Sequence, residues 1–217
     1  MDELILIFTK EQYKKYQELL TAKDITINID SVLPTIEPTS SEKAEALILE
    51  AIKNAEKLSS FKKRDAFFSY SLSDDEKKRF TPIYYEAIRN IDLIRGEIYA
   101  QAASVSKKLS EIERAYGGTC KNYSELLPYK AALSNDEKYR SRIEALELKL
   151  KANITHLEEQ KRNEISFLSK LSLISDKFIP ELMDKTLSAS GSPSFKSFES
   201  GSFFSAVHVF IERMKNI

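Results

Sequence analysis

A single cysteine, Cys120, is present, so no internal disulfide can form. This suits a reducing compartment and is equally compatible with a secreted protein that needs no disulfide. Glycine numbers only 5 in 217 residues, whereas irregular and β-rich folds use more, so its scarcity favours helices. Histidine is limited to His156 and His208. A metal site needs convergent ligands, and di-metal bundles repeat Glu-x-x-His on facing helices. Here the order is His156-x-x-Glu159, once, so neither a metal nor another cofactor is expected.

Long hydrophobic runs are also missing. None approaches the roughly 18 residues of a membrane-spanning helix. Met1-Asp2-Glu3 precedes a short apolar run, Leu4 to Phe8, with no basic region before it. That pattern is not a signal peptide and predicts a soluble protein, cytoplasmic or exported without a conventional leader. The glycosylation triplets at Asn122 and Asn153 then read as chance. Charge of either sign is not in excess, with Lys+Arg 33 against Asp+Glu 33. A net charge of zero argues against nucleic acid or an anionic membrane as the main partner, since both need a positive field.

What remains is strongly periodic. Thr9-x-x-Gln12 is a capping-box pattern, followed by Tyr13, Tyr16, Leu19 and Leu20 at helical spacing. Ile25, Ile27 and Ile29 alternate with Thr26 and Asn28, the one clean strand signal. Leu4–Phe8 reads either as its partner strand or as part of a first helix. Pro34 and Pro38 close this segment. A helix from Thr39-x-x-Glu42 to about Ser59 then buries Ala44, Leu47, Ile48, Ala51, Ile52, Ala55 and Leu58.

The strongest stripe runs from Pro82 to Tyr116 through Tyr84, Ala87, Ile91, Ile94, Ile98, Ala102, Val105, Leu109 and Ile112. It is a heptad pattern with one extra four-residue step at Ile98–Ala102. Gly117-Gly118 should end this helix, giving a rod of about 50 Å. Ser134-x-x-Glu137 should cap a second rod of about 65 Å. Its stripe passes through Tyr139, Ile143, Leu146, Leu150, Ile154 and Leu157, then Ile165, Leu168, Leu171, Ser175 and Phe178. Glu158 to Glu164 contains no apolar side chain, which predicts that the rod loses its partner there. Pro180 kinks or ends it.

Two adjacent stripes with a short connection favour antiparallel neighbours. The expected fold is therefore mostly all-α: an elongated, coiled-coil-like antiparallel helical hairpin on a small helical-bundle base, with the two-strand element near the N-terminus left open. The divisions are an N-terminal segment 1–38, a base 39–81, the hairpin 82–187 with its tip at 117–134, a Ser-rich linker 188–202, and an amphipathic helix 203–217. Long helical hairpins recur in unrelated proteins, so this architecture implies no kinship.

Few residues suggest chemistry. Cys120 has only Lys121 beside it and lacks the surroundings of a catalytic thiol. Gly117-Gly118 follows a helix, the wrong context for a phosphate loop. Phe61 to Tyr85 interleaves seven aromatics with Lys62-Lys63-Arg64 and Lys77-Lys78-Arg79, as base stacking requires. Asp65, Asp74, Asp75 and Glu76 dilute the cations, and a structural role is the better reading. The candidate partner or membrane contacts are Leu126, Leu127, Pro128 and Tyr129 at the tip, and Phe195, Phe198, Phe203, Phe204 and Phe210 in the C-terminal part. For the tip, exposure or folding back onto the rods are both open. For the C-terminal aromatics, core packing is preferred. The expected function is non-enzymatic: a coiled-coil protein-protein interaction or assembly module, binding another protein or itself. A soluble α-helical pore-forming toxin or toxin component is the alternative, the one reading that involves a membrane, and a secretion or phage-associated adaptor is a third.

Overall fold

A computed structural model of the chain describes residues 8–27, 29, 35–60, 73–188, 192–194 and 201–217. These are mostly helical: α1 (Lys10–Thr21), α2 (Glu42–Ser59), α3 (Asp74–Leu133), α4 (Glu137–Ser172), a π-helical turn (Leu173–Phe178), α5 (Ile179–Thr186) and α6 (Ser202–Lys215). No strand occurs among the described residues. Ile25 to Ile27 has no regular structure, and Leu4–Ile7, Asn28 and Asp30 lie outside them. The expected two-strand element is not found in the part that can be described. The chain divides into two compact units. Unit 1 comprises Met1–Pro38 with Lys108–Glu164, and unit 2 comprises Thr39–Lys107 with Ile165–Ile217. Both α3 and α4 contribute to each unit.

Burial along α3 follows a seven-residue period. Tyr84, Ile91, Ile98, Val105, Ile112, Thr119, Leu126 and Leu133 are all buried. Up to Leu126, the residues three and four positions after each are buried or half-buried, the width of stripe that a packed helix needs. The step at Ile98–Ala102 therefore leaves the seven-residue frame intact and only moves its companion position by one. The same period in α4 takes in Ile143, Leu150, Leu157, Glu164 and Leu171. Counting apolar residues alone placed Ile165 in this stripe, but Ile165 is 42% exposed and Glu164 is the buried residue.

The polar stretch Glu158–Glu164 does not lose its partner; it changes the kind of contact. Within unit 1, Glu158 accepts from the Tyr116 hydroxyl at 3.0 Å. Lys161 pairs with Glu113 at 2.9 Å, and Gln160 donates to the Ile36 carbonyl at 2.7 Å. Further along, buried Asn153 donates to Thr119 at 3.1 Å, and Lys130 pairs with Glu147 at 2.9 Å. Partners that advance along α3 recede along α4, so the two segments run antiparallel. A buried polar layer such as Thr119–Asn153 favours one register over its slipped alternatives. Burial of Asn153 also leaves no room for a glycan.

Two helix ends differ from expectation. α3 continues through Gly117-Gly118 to Leu133, although each glycine costs about 1 kcal/mol in a helix interior. Burial of Ile112, Thr119 and Leu126 on either side outweighs that local preference. The turn into α4 is thus Ser134 to Asp136, and Asp136, not Ser134, accepts from the Lys138 N–H at 3.0 Å. At the other end, α3 starts at Asp74, before Pro82, with Ser73 and Glu76 forming the capping box. The Thr9–Gln12 box forms as the sequence predicts.

Unit 2 has the larger core. α2 and α5 both pack on α6. Ala44, Ala51 and Ala55 keep the α2 surface low, so its neighbours approach closely. Phe203 of α6 meets Phe80 edge-on at 5.7 Å and Tyr84 at 6.1 Å. The Tyr84 hydroxyl donates to the Thr186 carbonyl at 3.1 Å, tying α3 to the end of α5.

Candidate interaction surface

Leu126-Leu127-Pro128-Tyr129 is not an exposed tip. It lies inside α3, with Leu126 1% and Tyr129 5% exposed, Pro128 buried and Leu127 half-buried. The N-terminal segment covers it: Leu19, Ile25, Ile27 and Ile29 join Leu126, Tyr129, Leu133, Ile143 and Leu150 in one cluster. Lys15 stands 4.9 Å over the Tyr129 ring, and the Tyr139 hydroxyl donates to the Ile25 carbonyl at 3.1 Å. Proline explains part of this docking. Pro128 has no N–H to offer the Ser124 carbonyl one turn earlier. The Gln12 side-chain amide donates to that carbonyl instead, at 3.0 Å.

The C-terminal aromatics divide. Phe203 and Phe210 are buried in unit 2, Phe204 is half-buried with its ring 5.5 Å from Phe203, and Phe195 and Phe198 lie outside the described residues. Of the aromatics interleaved with basic residues, Phe80 and Tyr84 are core and Tyr85 is 46% exposed; Phe61, Phe67, Phe68 and Tyr70 also lie outside. His156 and His208 are exposed, Cys120 is half-buried, and among the described residues no group of three or more His, Cys, Asp or Glu could hold a metal ion.

Unit 2 holds a concavity that the sequence reading missed. α5 and α6 run antiparallel in unit 2, with Glu181 paired to Arg213 near one end and Thr186 close to Phe203 through Tyr84 near the other. Between them lies a groove of about 350 Å³. Phe178, Leu182, Ala206, Val209 and Phe210 form its walls. Exposed Glu181, Lys185 and Arg213 stand around it with Ser202 and Ser205. The Arg213 guanidinium also sits 5.4 Å from the Phe178 ring centroid. A signal was present: Ala206 and Val209 fall outside the Phe203–Val207–Phe210–Met214 stripe, so α6 has more apolar surface than its core contact uses. Val209 is 44% exposed.

The wall opposite α6 depends on the π-helical turn. Proline at 180 cannot donate to the Ser175 carbonyl, which a π pattern would pair with it. The Ile179 N–H bonds back to the Ile174 carbonyl, and Arg95 donates its Nε–H to the orphaned Ser175 carbonyl at 2.8 Å. The helix is thereby carried past Pro180 into α5, which brings Glu181, Leu182 and Lys185 to the groove.

No family model matches the chain, and neither a curated protein nor a solved structure proved similar to it. Among the described residues, no helix is long and apolar enough to cross a membrane.

Proposed function

We propose that the protein is a non-enzymatic coiled-coil assembly module, built on an antiparallel helical hairpin, that binds another protein through helix surfaces. The α5–α6 groove is its anchor pocket. The observation that supports this is the composition of that groove: apolar walls and a charged rim. Interface anchors are side chains of large apolar or aromatic type seated in such pockets, with polar groups around the rim setting orientation. The one carboxylate in the lining, Glu181, is paired with Arg213, so binding is the chemistry the groove favours. An adaptor in a secretion or phage assembly is a special case of the same reading. A pore-forming role would have to release Phe203 and Phe210, and each is worth about 1.5–3 kcal/mol to the core it would leave.

The test is a photo-crosslinking amino acid placed at Val209 in the native cell, with Glu212 as the off-groove control. One dominant adduct from Val209, absent from Glu212 and lost with Ala206→Glu, supports the reading. Absence of adducts, or the same mixture from both positions, overturns it.

A further inference from the structure

The alternation of Ile25, Ile27 and Ile29 serves a helical surface, not a sheet. Ile27 is 4% exposed, Ile25 and Ile29 are half-buried, and Thr26 between them is exposed. Every second side chain faces inward, as on an extended chain. The inward set joins Leu126, Tyr129 and Leu133 of α3 and Ile143 and Leu150 of α4. Side chains of α4 also hold the backbone at two points. The Tyr139 hydroxyl donates to the Ile25 carbonyl at 3.1 Å, and the Gln160 amide donates to the Ile36 carbonyl at 2.7 Å. These donors belong to positions about 31 Å apart along the α4 axis. Backbone held by hydrogen bonds, with alternate side chains received by apolar surface, is how a site takes an extended peptide.

The occupant belongs to the chain but is separate from the helices beneath it. Residues 108–164 of unit 1 are one continuous stretch, and residues 1–38 join them from elsewhere in the sequence. Between Ile36 and α2, Glu37, Pro38, Ser40 and Ser41 are exposed and lack regular structure. α1 has no buried residue. A segment held in this way can come away while α3 and α4 stay folded. We propose that this face of α3 and α4 in unit 1 is a binding site for an extended segment of another protein, with aliphatic residues at every second position, and that the N-terminal segment occupies it in cis as a competitor. The bound segment itself shows which chemistry the face accepts. A second copy is the weaker candidate. Its segment is identical, and the tethered one has an effective concentration on the order of millimolar in its favour. A partner that adds contacts of its own can win where a copy cannot. The site is independent of the α5–α6 groove, so either can fail without the other.

The test uses the full-length chain carrying Gln12→Ala and Ile27→Asp. Hydrogen exchange should lose protection over residues 10–21 and keep it over α3 and α4. A fluorescent peptide of residues 22–37 should then bind this variant. It should bind the wild-type chain at least about tenfold more weakly, since there the site is free only while the segment is away. The same peptide carrying Ile27→Asp should not bind. Adding Tyr139→Phe to the variant should weaken the peptide about two- to tenfold. Random peptides displayed on phage and selected on the variant should carry aliphatic residues at alternate positions and be displaced by the 22–37 peptide. Melting of α3 and α4 together with the segment makes the segment core and overturns the proposal, as does a segment that stays protected. So does a peptide that binds neither chain or both alike, and so do selected peptides with helical spacing. A wild-type dimer that Ile27→Asp abolishes overturns it too, because the occupant is then a second copy.

Discussion

Pro128 in unit 1 and Pro180 in unit 2 each leave a helix carbonyl without its backbone donor, and the two are accommodated differently. Pro128 in unit 1 leaves α3 an ordinary α-helix, and the missing hydrogen bond is replaced by Gln12 reaching in from α1. Pro180 in unit 2 lies just beyond a π-helical turn, and the orphaned carbonyl is taken by Arg95 from α3. The surroundings account for the difference. Ser124 is half-buried beside a helix, α1, that has no buried residue of its own. Ser175 is 1% exposed in the larger core, where an unpaired carbonyl would be costly. The same covalent defect is therefore a surface docking point in one unit and an interior hydrogen bond in the other.

The largest test of this contrast is the core itself. Phe203→Ala should destabilise unit 2 by about 3–5 kcal/mol, because Phe80 and Tyr84 would face a cavity. Chemical denaturation measures it, and a loss under about 1 kcal/mol would deny unit 2 its aromatic core. Next comes Arg95→Met, expected to cost about 1.5–3 kcal/mol by leaving the Ser175 carbonyl unpaired. In a Pro180→Ala background that cost should shrink, since position 180 regains an N–H. A double-mutant cycle showing strict additivity would disprove the link between them.

Gln12→Ala is the counterpart in unit 1 and should cost less, about 0.5–1.5 kcal/mol, because water can reach Ser124. Hydrogen exchange should then show α1 opening before α3 and α4 do. If α1 stays as protected as α3, the N-terminal segment is held by something other than this contact.

Much of this was readable from the chain, and the exceptions have a common origin. The α3 stripe from Tyr84 to Tyr116 and the α2 face from Ala44 to Leu58 are apolar, so hydrophobic periodicity finds them. Thr119, Asn153 and Glu164 occupy seam positions with polar side chains, and a search for apolar residues passes over them. Gly117-Gly118 and Pro128 carry local stop signals, but packing far along the chain overrides them. The burial of Leu126 and Tyr129 depends on residues about a hundred positions earlier, which no local window contains. The α5–α6 groove was hidden for a similar reason, since its walls come from both sides of residues 188–202.

The smallest effects separate the units by the cause of one shift. Burial pushes the Tyr84 phenol up to about 12. Tyr116 also reaches about 12, first through its hydrogen bond to Glu158 and then through Cys120. A phenol is neutral when protonated, so a raised value means that the folded state holds the proton more tightly than the unfolded chain. The contribution of Tyr84 is complete below its ordinary value of 10 and is lost as pH climbs toward about 12. Tyr84→Phe should remove that part of the alkaline loss of stability. Ultraviolet titration of phenolate should show Glu158→Ala returning Tyr116 toward 10 while Tyr84 stays where it was. If Glu158→Ala leaves Tyr116 unmoved, the carboxylate is not the cause, and the α3–α4 contact in unit 1 loses one of its polar links.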